Sequence, residues 1–308
     1  MAADNILIIR HGALGDLVQS TGPFRAIREH HPGTRITLLT TPPFAIFMRG
    51  CPWIDDVWQD HRPQWFQVPD LLHLRRRLRE GGFQRVYDLQ TSSRSSHYRR
   101  AFSRGNRPDW SGVAPGASHP HANADRDLMH TLDRQAEQLA MAGIAEVPEP
   151  DLSWVTSDVS RFELLQSYAL VVPGGSVHRP AKRWPADYYL EICRRLLAAE
   201  IQPVLIGGRD EVILNRVLAE QCPGVRDLAD QTSIEDLAVL ARGAKLAVGN
   251  DTGPMHVAAV SGCPSIVLFS DQSDPDLCAP RGANVTTLQA PDLAALSVDR
   301  VWQAMKTS

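Results

Sequence analysis

The residues best suited to chemistry in this chain stand in the run Asp251-Thr252-Gly253-Pro254-Met255-His256. An apolar run, Leu246 to Val248, meets a Gly-Asn-Asp-Thr-Gly turn. Pro254 then suits the first turn of a helix, which Gly262 and Pro264 end before a second β-branched run. The first N–H groups of a helix lack internal partners and sit at the positive end of its dipole, so such a turn attracts phosphate. Thr252 adds a hydroxyl, Gly253 permits close approach, and His256 can reach back from about one turn on. The same residues also read as a plain helix cap with a structural histidine. Three further places bear on the choice. Lys182 and Arg183 share the loop PGGSVHRPAKRWP with Ser176 and the free N–H groups of Gly174 and Gly175, a combination that makes an anion cradle. Glu211 opens a helix after QPVLIGG, either as a dipole-stabilised carboxylate or as an acceptor for ribose hydroxyls. Asp16 stands where a loop becomes a helix beyond the first strand, either as a helix-start carboxylate or as a ligand group at the sheet edge.

The elements that must position these groups alternate. NILIIR leads through Gly12-Ala13-Leu14-Gly15 into an amphipathic segment, Asp16 to His31, and then into the strand RITLLT, a βαβ opening. Only Gly12-x-x-Gly15 is present and Thr40-Thr41-Pro42 ends the second strand, so the dinucleotide fingerprint is missing and a nicotinamide cofactor is disfavoured. A helix is expected from Gln64 to Gly81, the strand RVYDLQ after it, and a polar helix from Ser92 to Arg104. Gly105 to Asp125 reads as a mobile loop and Asp127 to Ala142 as a helix, with AEVPEPD (145–151) as a linker. The second half begins with a helix near Ser157 to Gln166 and the strand ALVVP. Helices from Ala186 to Ala199, up to Gln221 and from Ser233 to Ala241 follow, the strand NVTTLQ comes next, and a last helix spans Val298 to Lys306. The fold class expected is α/β with two doubly wound domains.

A chain of 308 residues, 43% hydrophobic, is long enough for two cores. Its five cysteines are odd in number and include no Cys-x-x-Cys pair, which argues against a disulfide framework or a zinc site and fits a reducing cytoplasm. His119, His121 and His130 lack metal-ligand spacing. No apolar run approaches the ~20 residues that span a bilayer, and the N-terminus lacks the regions of a signal peptide. A net charge of −3 gives no attraction to nucleic acid. Charge is uneven, however: between Arg75 and Arg107 ten arginines face two acids, +8 within a negative chain. Arginine's planar fork suits phosphate and carboxylate, so Arg75, Arg94, Arg99 and Arg100 are candidates for an acidic partner, a phosphorylated glycolipid or an anionic membrane surface, beside the alternative of a solvated face.

Taken together in chain order, Gly12 to Asp16, Lys182-Arg183-Trp184-Pro185 after Pro173-Gly174-Gly175, Gly207-Gly208-x-x-Glu211 and Asp251-Thr252-Gly253-x-x-His256 resemble glycosyltransferase family nine, the ADP-heptose:lipopolysaccharide heptosyltransferases. Asp88-Leu89-Gln90 and the run from His130 to Gly143 are similar too. The resemblance implies a GT-B fold, two Rossmann-like doubly wound domains facing across a cleft: an acceptor domain at 1–150, a nucleotide-sugar domain at 151–290, and a final helix in 291–308 that packs back on the first domain. It implies inverting transfer of a heptose from ADP-heptose to a lipopolysaccharide core, by a cytoplasmic enzyme peripheral at the inner face of the cytoplasmic membrane, with no cofactor and no metal. Carried over, Asp16 is the general base and Lys182 neutralises the diphosphate with Thr252 and Gly253. Gly175, Ser176, Arg183 and His256 lie around the phosphates, Glu211 holds the ribose, Gln231 and Thr232 meet the adenine, and Asp251 binds sugar hydroxyls. Two segments depart from the family pattern. Where the family reads Gly-Pro-Thr-x-Pro this chain has Ser270-Asp271-Gln272-Ser273-Asp274-Pro275, and the segment from Gly105 to Asp125 has no counterpart. A different nucleotide sugar, or nucleotide-sugar binding without catalysis, are the alternatives.

Overall fold

The strands of this chain read as unbroken apolar runs because both faces of their sheets are covered; NILII and YALVV are buried almost from end to end. The computed structural model describes residues 5–175 and 179–307. The chain divides into two units, Met1–Pro150 and Asp151–Ser308.

In the first unit, β1 (Asn5–Ile9), β2 (Arg35–Thr40), β3 (Asp56–Gln59), β4 (Phe83–Asp88), β5 (Asp109–Gly112) and β6 (His119–Pro120) form a parallel sheet in the order β3-β2-β1-β4-β5-β6. Its helices are α1 (Leu14–Gln19), α2 (Thr21–His30), α3 (Pro42–Met48), α4 (Val68–Glu80), α5 (Ser93–Tyr98) and α6 (Thr131–Ala140). Leu74 and Leu78 of α4 pack with Leu7, Val86 and Trp110 in one core. The expected helix from Asp16 to His31 is two helices that meet at Ser20, whose hydroxyl donates to the Asp16 carbonyl at 2.8 Å and so turns the chain. The expected mobile loop from Gly105 to Asp125 instead supplies β5 and β6. Their shortness hides them among Gly and Pro, but Trp110 is fully buried and its backbone N–H donates to Ser118 Oγ at 2.7 Å.

In the second unit, β7 (Tyr168–Val172), β8 (Gln202–Leu205), β9 (Arg226–Asp227), β10 (Ala247–Asn250), β11 (Ser265–Phe269) and β12 (Val285–Gln289) repeat the same plan, in the order β12-β11-β10-β7-β8-β9. The helices are α7 (Ala186–Ala198), α8 (Val212–Gln221), α9 (Ile234–Gly243), α10 (Gly253–Val260), α11 (Pro275–Cys278) and α12 (Val298–Thr307). Where a helix was expected from Ser157 to Gln166 there is one 3-10 turn, Ser160–Phe162. Asp158 takes the Ser160 N–H at 3.0 Å in place of a helical carbonyl, and Phe162 alone on this stretch is buried. The last helix, α12, buries Val301 and Met305 in this unit's own core, where Trp184 and Leu196 also lie.

Both sheets reverse direction between their first and fourth strands, β1/β4 and β7/β10. Ligands of doubly wound sheets collect at the carboxyl ends of strands at such a switch point. Asp16 follows β1; Gly174 follows β7 and Asp251 follows β10. No helix of the described residues is long and apolar enough to cross a membrane.

The second switch point rests on Gly249. A Cβ there would lie 2.6 Å from Val172 Cβ and 2.7 Å from the Val172 carbonyl oxygen. Gly249→Ala is therefore expected to destabilise the second unit by at least about 1–3 kcal/mol through overpacking. Urea denaturation measures this, and an unshifted midpoint would show that β7 and β10 separate freely.

Candidate active site

Between the ends of β7, β8 and β10 lies a cavity of about 340 Å³, walled by Gly174, Gly175, Gly207, Gly208, Glu211, Asp251, Thr252 and Gly253. The glycines are there for space: a Cβ on Gly174 would fall 2.4 Å from Glu211 Cγ, and one on Gly207 2.6 Å from Glu211 Cβ. Glu211 lies against both turns and accepts the Gly208 N–H at 2.9 Å. Thr252 is the N-cap residue of α10, whose first N–H groups point to the ligand side of the switch.

Asp251 gathers the charge of this site. Its Oδ2 accepts Lys182 Nζ at 2.6 Å and Ser273 Oγ at 2.8 Å, and its Oδ1 is 3.8 Å from His256 Nε2. Burial pushes the carboxyl up, but the His256 imidazole close by and hydrogen bonds from Lys182 and Ser273 outweigh it and hold the group down at about 2. Lys182 and Asp251 are 12% and 9% exposed, so each charge is compensated by the other rather than by water. Arg183 donates to the Gly175 carbonyl at 2.6 Å and stands 4.0 Å from Glu211. The structure thus brings Gly175, Lys182, Arg183, Glu211, Asp251, Thr252, Gly253 and His256 together. Gln231 and Thr232 do not line this cavity, and Gln231 Nε2 donates to the Asp227 carbonyl at 3.1 Å. Ser176 lies outside the described residues. Asp274 caps the short helix α11 by accepting the Asp276 N–H at 2.9 Å.

Asn250, which the sequence reading left without a role, organises the loops. Its buried amide donates to the carbonyls of Pro173 (3.0 Å) and Gly174 (2.9 Å) and accepts the Trp184 N–H (3.0 Å) and the Tyr189 hydroxyl (2.9 Å).

In the first unit Asp16 is half-exposed and paired with Arg10, Nη2 to Oδ1 at 3.0 Å. Asp16 also accepts the Ala13 N–H at 3.2 Å, which fixes its carboxylate over the start of α1. Arg10 was missed as well, although a lone arginine ending an apolar strand was a signal, since a buried guanidinium requires a partner. Burial lowers its pKa, against the pull of Asp16, and its Nη1 donates to the Leu89 carbonyl at 2.7 Å. Beside it His11 sits 2.9 Å from the buried carboxylate of Asp60, which the Tyr98 hydroxyl also bonds.

The arginine candidates separate into two roles. Arg94 donates to the Pro63 carbonyl at 3.0 Å, and Arg99 to the carbonyls of Pro115 and Gly116, so both hold loops. Arg75 and Arg100 are exposed and have no partner among the described residues. Among the described residues no group of three or more His, Cys, Asp or Glu side chains is placed to hold a metal.

The family model of glycosyltransferase family 9 (heptosyltransferase) matches residues 71–301. The chain is 26% identical over 298 residues to lipopolysaccharide heptosyltransferase 2 of Salmonella typhimurium, covering 89% of this chain and 85% of that protein. It superposes on the E. coli ADP-heptose lps heptosyltransferase II with a TM-score of 0.82 at 21% identity, over 98% of both chains. The E. coli heptosyltransferase WaaC with ADP gives 0.78 at 20% identity, over 98% of this chain and 99% of that one. The fold is GT-B.

Behind Arg10 and Asp16 stands one more carboxyl. Asp88 is buried, accepts the Thr91 N–H at 3.0 Å, and so shapes the turn that bonds Arg10 and, through Gln90, the His11 N–H. Burial, only partly offset by hydrogen bonds from Thr91 and Ser95, raises it from 3.8 to about 7. The fold favours its protonated form, so this stabilisation is complete below 3.8 and is lost as pH rises through 7. Between these limits the unfolding free energy of the wild type should fall more steeply with pH than that of Asp88→Asn, by up to about 1.4 kcal/mol per unit. Parallel curves would show that Asp88 is charged in the fold.

Proposed function

Given that the chain belongs to glycosyltransferase family 9, the heptosyltransferases, we propose that it transfers a heptose from ADP-heptose, with inversion, to a lipopolysaccharide core or related phosphorylated glycolipid at the inner face of the cytoplasmic membrane. The observation that carries this reading is the Lys182–Asp251 pair at the wall of a glycine-lined cavity, in front of the N-terminus of α10.

The diphosphate of ADP fits against the N–H groups of Gly175, Thr252 and Gly253 and the Thr252 hydroxyl, and Ser176 is assigned to it by the family resemblance alone. Lys182 turns from Asp251 to the β-phosphate, with Arg183 and His256 beside it. Asp251, released, accepts hydroxyls of the sugar, and Glu211 those of the ribose; Gln231 and Thr232, outside the cavity, meet an adenine edge that reaches beyond it. The acceptor hydroxyl attacks the anomeric carbon on the face opposite ADP. Its proton passes to Asp16, the new C–O bond forms, and the bond to the β-phosphate oxygen breaks with its electron pair left on ADP. Lys182 and the helix end stabilise that developing charge. The positive charge offered to the diphosphate is therefore the protein's own. Arg10 orients Asp16, and Arg75 and Arg100 meet the anionic acceptor, while Arg94 and Arg99 hold the loops near them.

One detail bears on the choice of sugar. Ser273, in the segment that departs from the family pattern, already bonds Asp251, so a donor other than ADP-heptose is the second reading. Thermal protection by ADP-heptose against UDP sugars separates the two, since a ligand at 100 times its dissociation constant stabilises by about 2.7 kcal/mol. Asp16→Asn is expected to lose about 10²–10⁴-fold in kcat while binding ADP as the wild type does. Retained turnover in this variant would move the base elsewhere, and lost ADP affinity would make Asp16 a structural residue.

A further inference from the structure

Large apolar side chains lie exposed in one short stretch of the first unit. Trp65, Phe66, Val68 and Leu72 are 83%, 64%, 52% and 57% exposed. The Trp65 and Phe66 rings stand edge to face, 5.7 Å apart, and form a single knob. Val68 and Leu72 follow at i and i+4 on the outward face of α4, whose inward face buries Leu74 and Leu78. That outward face continues into Arg75, Arg76 and Arg79. Beside the knob an open trough of about 540 Å³ has an apolar floor, Leu74, Leu78 and Tyr98, and arginines at its rim. Two of these, Arg75 and Arg100, have no partner among the described residues.

We propose that the segment from Trp65 to Leu72, with the arginines around it, docks the enzyme on an anionic phospholipid bilayer. An aromatic knob and an aliphatic stripe next to uncompensated guanidinium groups have the composition of a helix lying in the membrane interface: the rings and Leu72 enter the boundary of headgroups and acyl chains while the arginines meet lipid phosphates. Charge complementarity selects this occupant. Helix α4 carries Arg75, Arg76, Arg77 and Arg79 against Asp70 and Glu80, and Arg75 and Arg100, both on the trough, are left without an acidic partner among the described residues, so this is a face an anionic bilayer attracts. A nucleic acid would find the arginines but gives Val68 and Leu72 no apolar cover. The inference deepens, and rests on, the reading of the acceptor as a membrane glycolipid by naming the element that meets the membrane.

The test uses the full chain and co-sedimentation with vesicles. The wild type is expected to bind vesicles of mixed phosphatidylglycerol and phosphatidylcholine and to stay in solution with phosphatidylcholine alone. Trp65→Ser/Phe66→Ser should lose at least about tenfold in partitioning to the mixed vesicles, yet turn over a deacylated, water-soluble core acceptor at the wild-type rate. Should that double variant also lose soluble turnover, Leu72→Ser, at an exposed position, decides by the same vesicle criterion. Equal sedimentation of wild type and variants, or no binding of the wild type to mixed vesicles, overturns the proposal; the second result leaves a protein as the occupant of this face. Failure of the heptose reading would show differently, as an absence of turnover on any core acceptor with vesicle binding intact.

Discussion

The second unit is organised around one buried side-chain amide. Asn250 has two N–H donors and one carbonyl, and each finds a partner: two loop carbonyls on one side, a backbone N–H and a phenol on the other. A buried polar group left unpaired costs about 1–3 kcal/mol, so the four bonds form as a set or the loops do not close. Through them the turn after β7, the loop ending in Trp184 and the end of β10 share one reference point. Lys182 and Asp251 are neighbours of the residues so fixed, which is why a flexible lysine can be held in a single salt bridge at 2.6 Å.

That salt bridge sets the energetics of the site. Two nearly buried charges would each be costly alone, and paired they are tolerable. A diphosphate that draws Lys182 away leaves the Asp251 carboxylate without its counter-charge, held by the Ser273 hydroxyl, and sugar hydroxyls are able to supply the further donors it then needs. The first unit repeats the logic at smaller scale: buried Arg10 and half-exposed Asp16 form a pair in which the guanidinium is anchored to the Leu89 carbonyl, leaving the carboxylate as the accessible partner.

Most of the longer strands and helices, the strand-turn-helix units after β1 and β10 and most of the residues around the second switch point were legible in the sequence, because apolar runs and Gly-rich turns are local signals; α3 and β3, between Pro42 and Gln59, were not. What was not legible depends on distant partners. Arg10 reads as the polar end of a strand until Leu89, 79 residues away, is placed beside it. Asn250 reads as one more turn residue until the carbonyl of Pro173 arrives from 77 residues away. The helix expected over Ser157 to Gln166 followed propensity, but Asp158 offers its own carboxylate to the backbone. Strands β5 and β6 were hidden because four and two residues are too few for a period to register among glycines and prolines.

The central claim is that Lys182 leaves Asp251 to meet the β-phosphate of the donor. Calorimetric titration of ADP and AMP into the wild type and Lys182→Met tests it directly, since the two nucleotides differ only in that phosphate. The account predicts that the wild type prefers ADP by at least about tenfold, about 1.4 kcal/mol, and that the preference largely disappears in Lys182→Met while AMP affinity stays nearly unchanged. An equal preference for ADP in both proteins would contradict it.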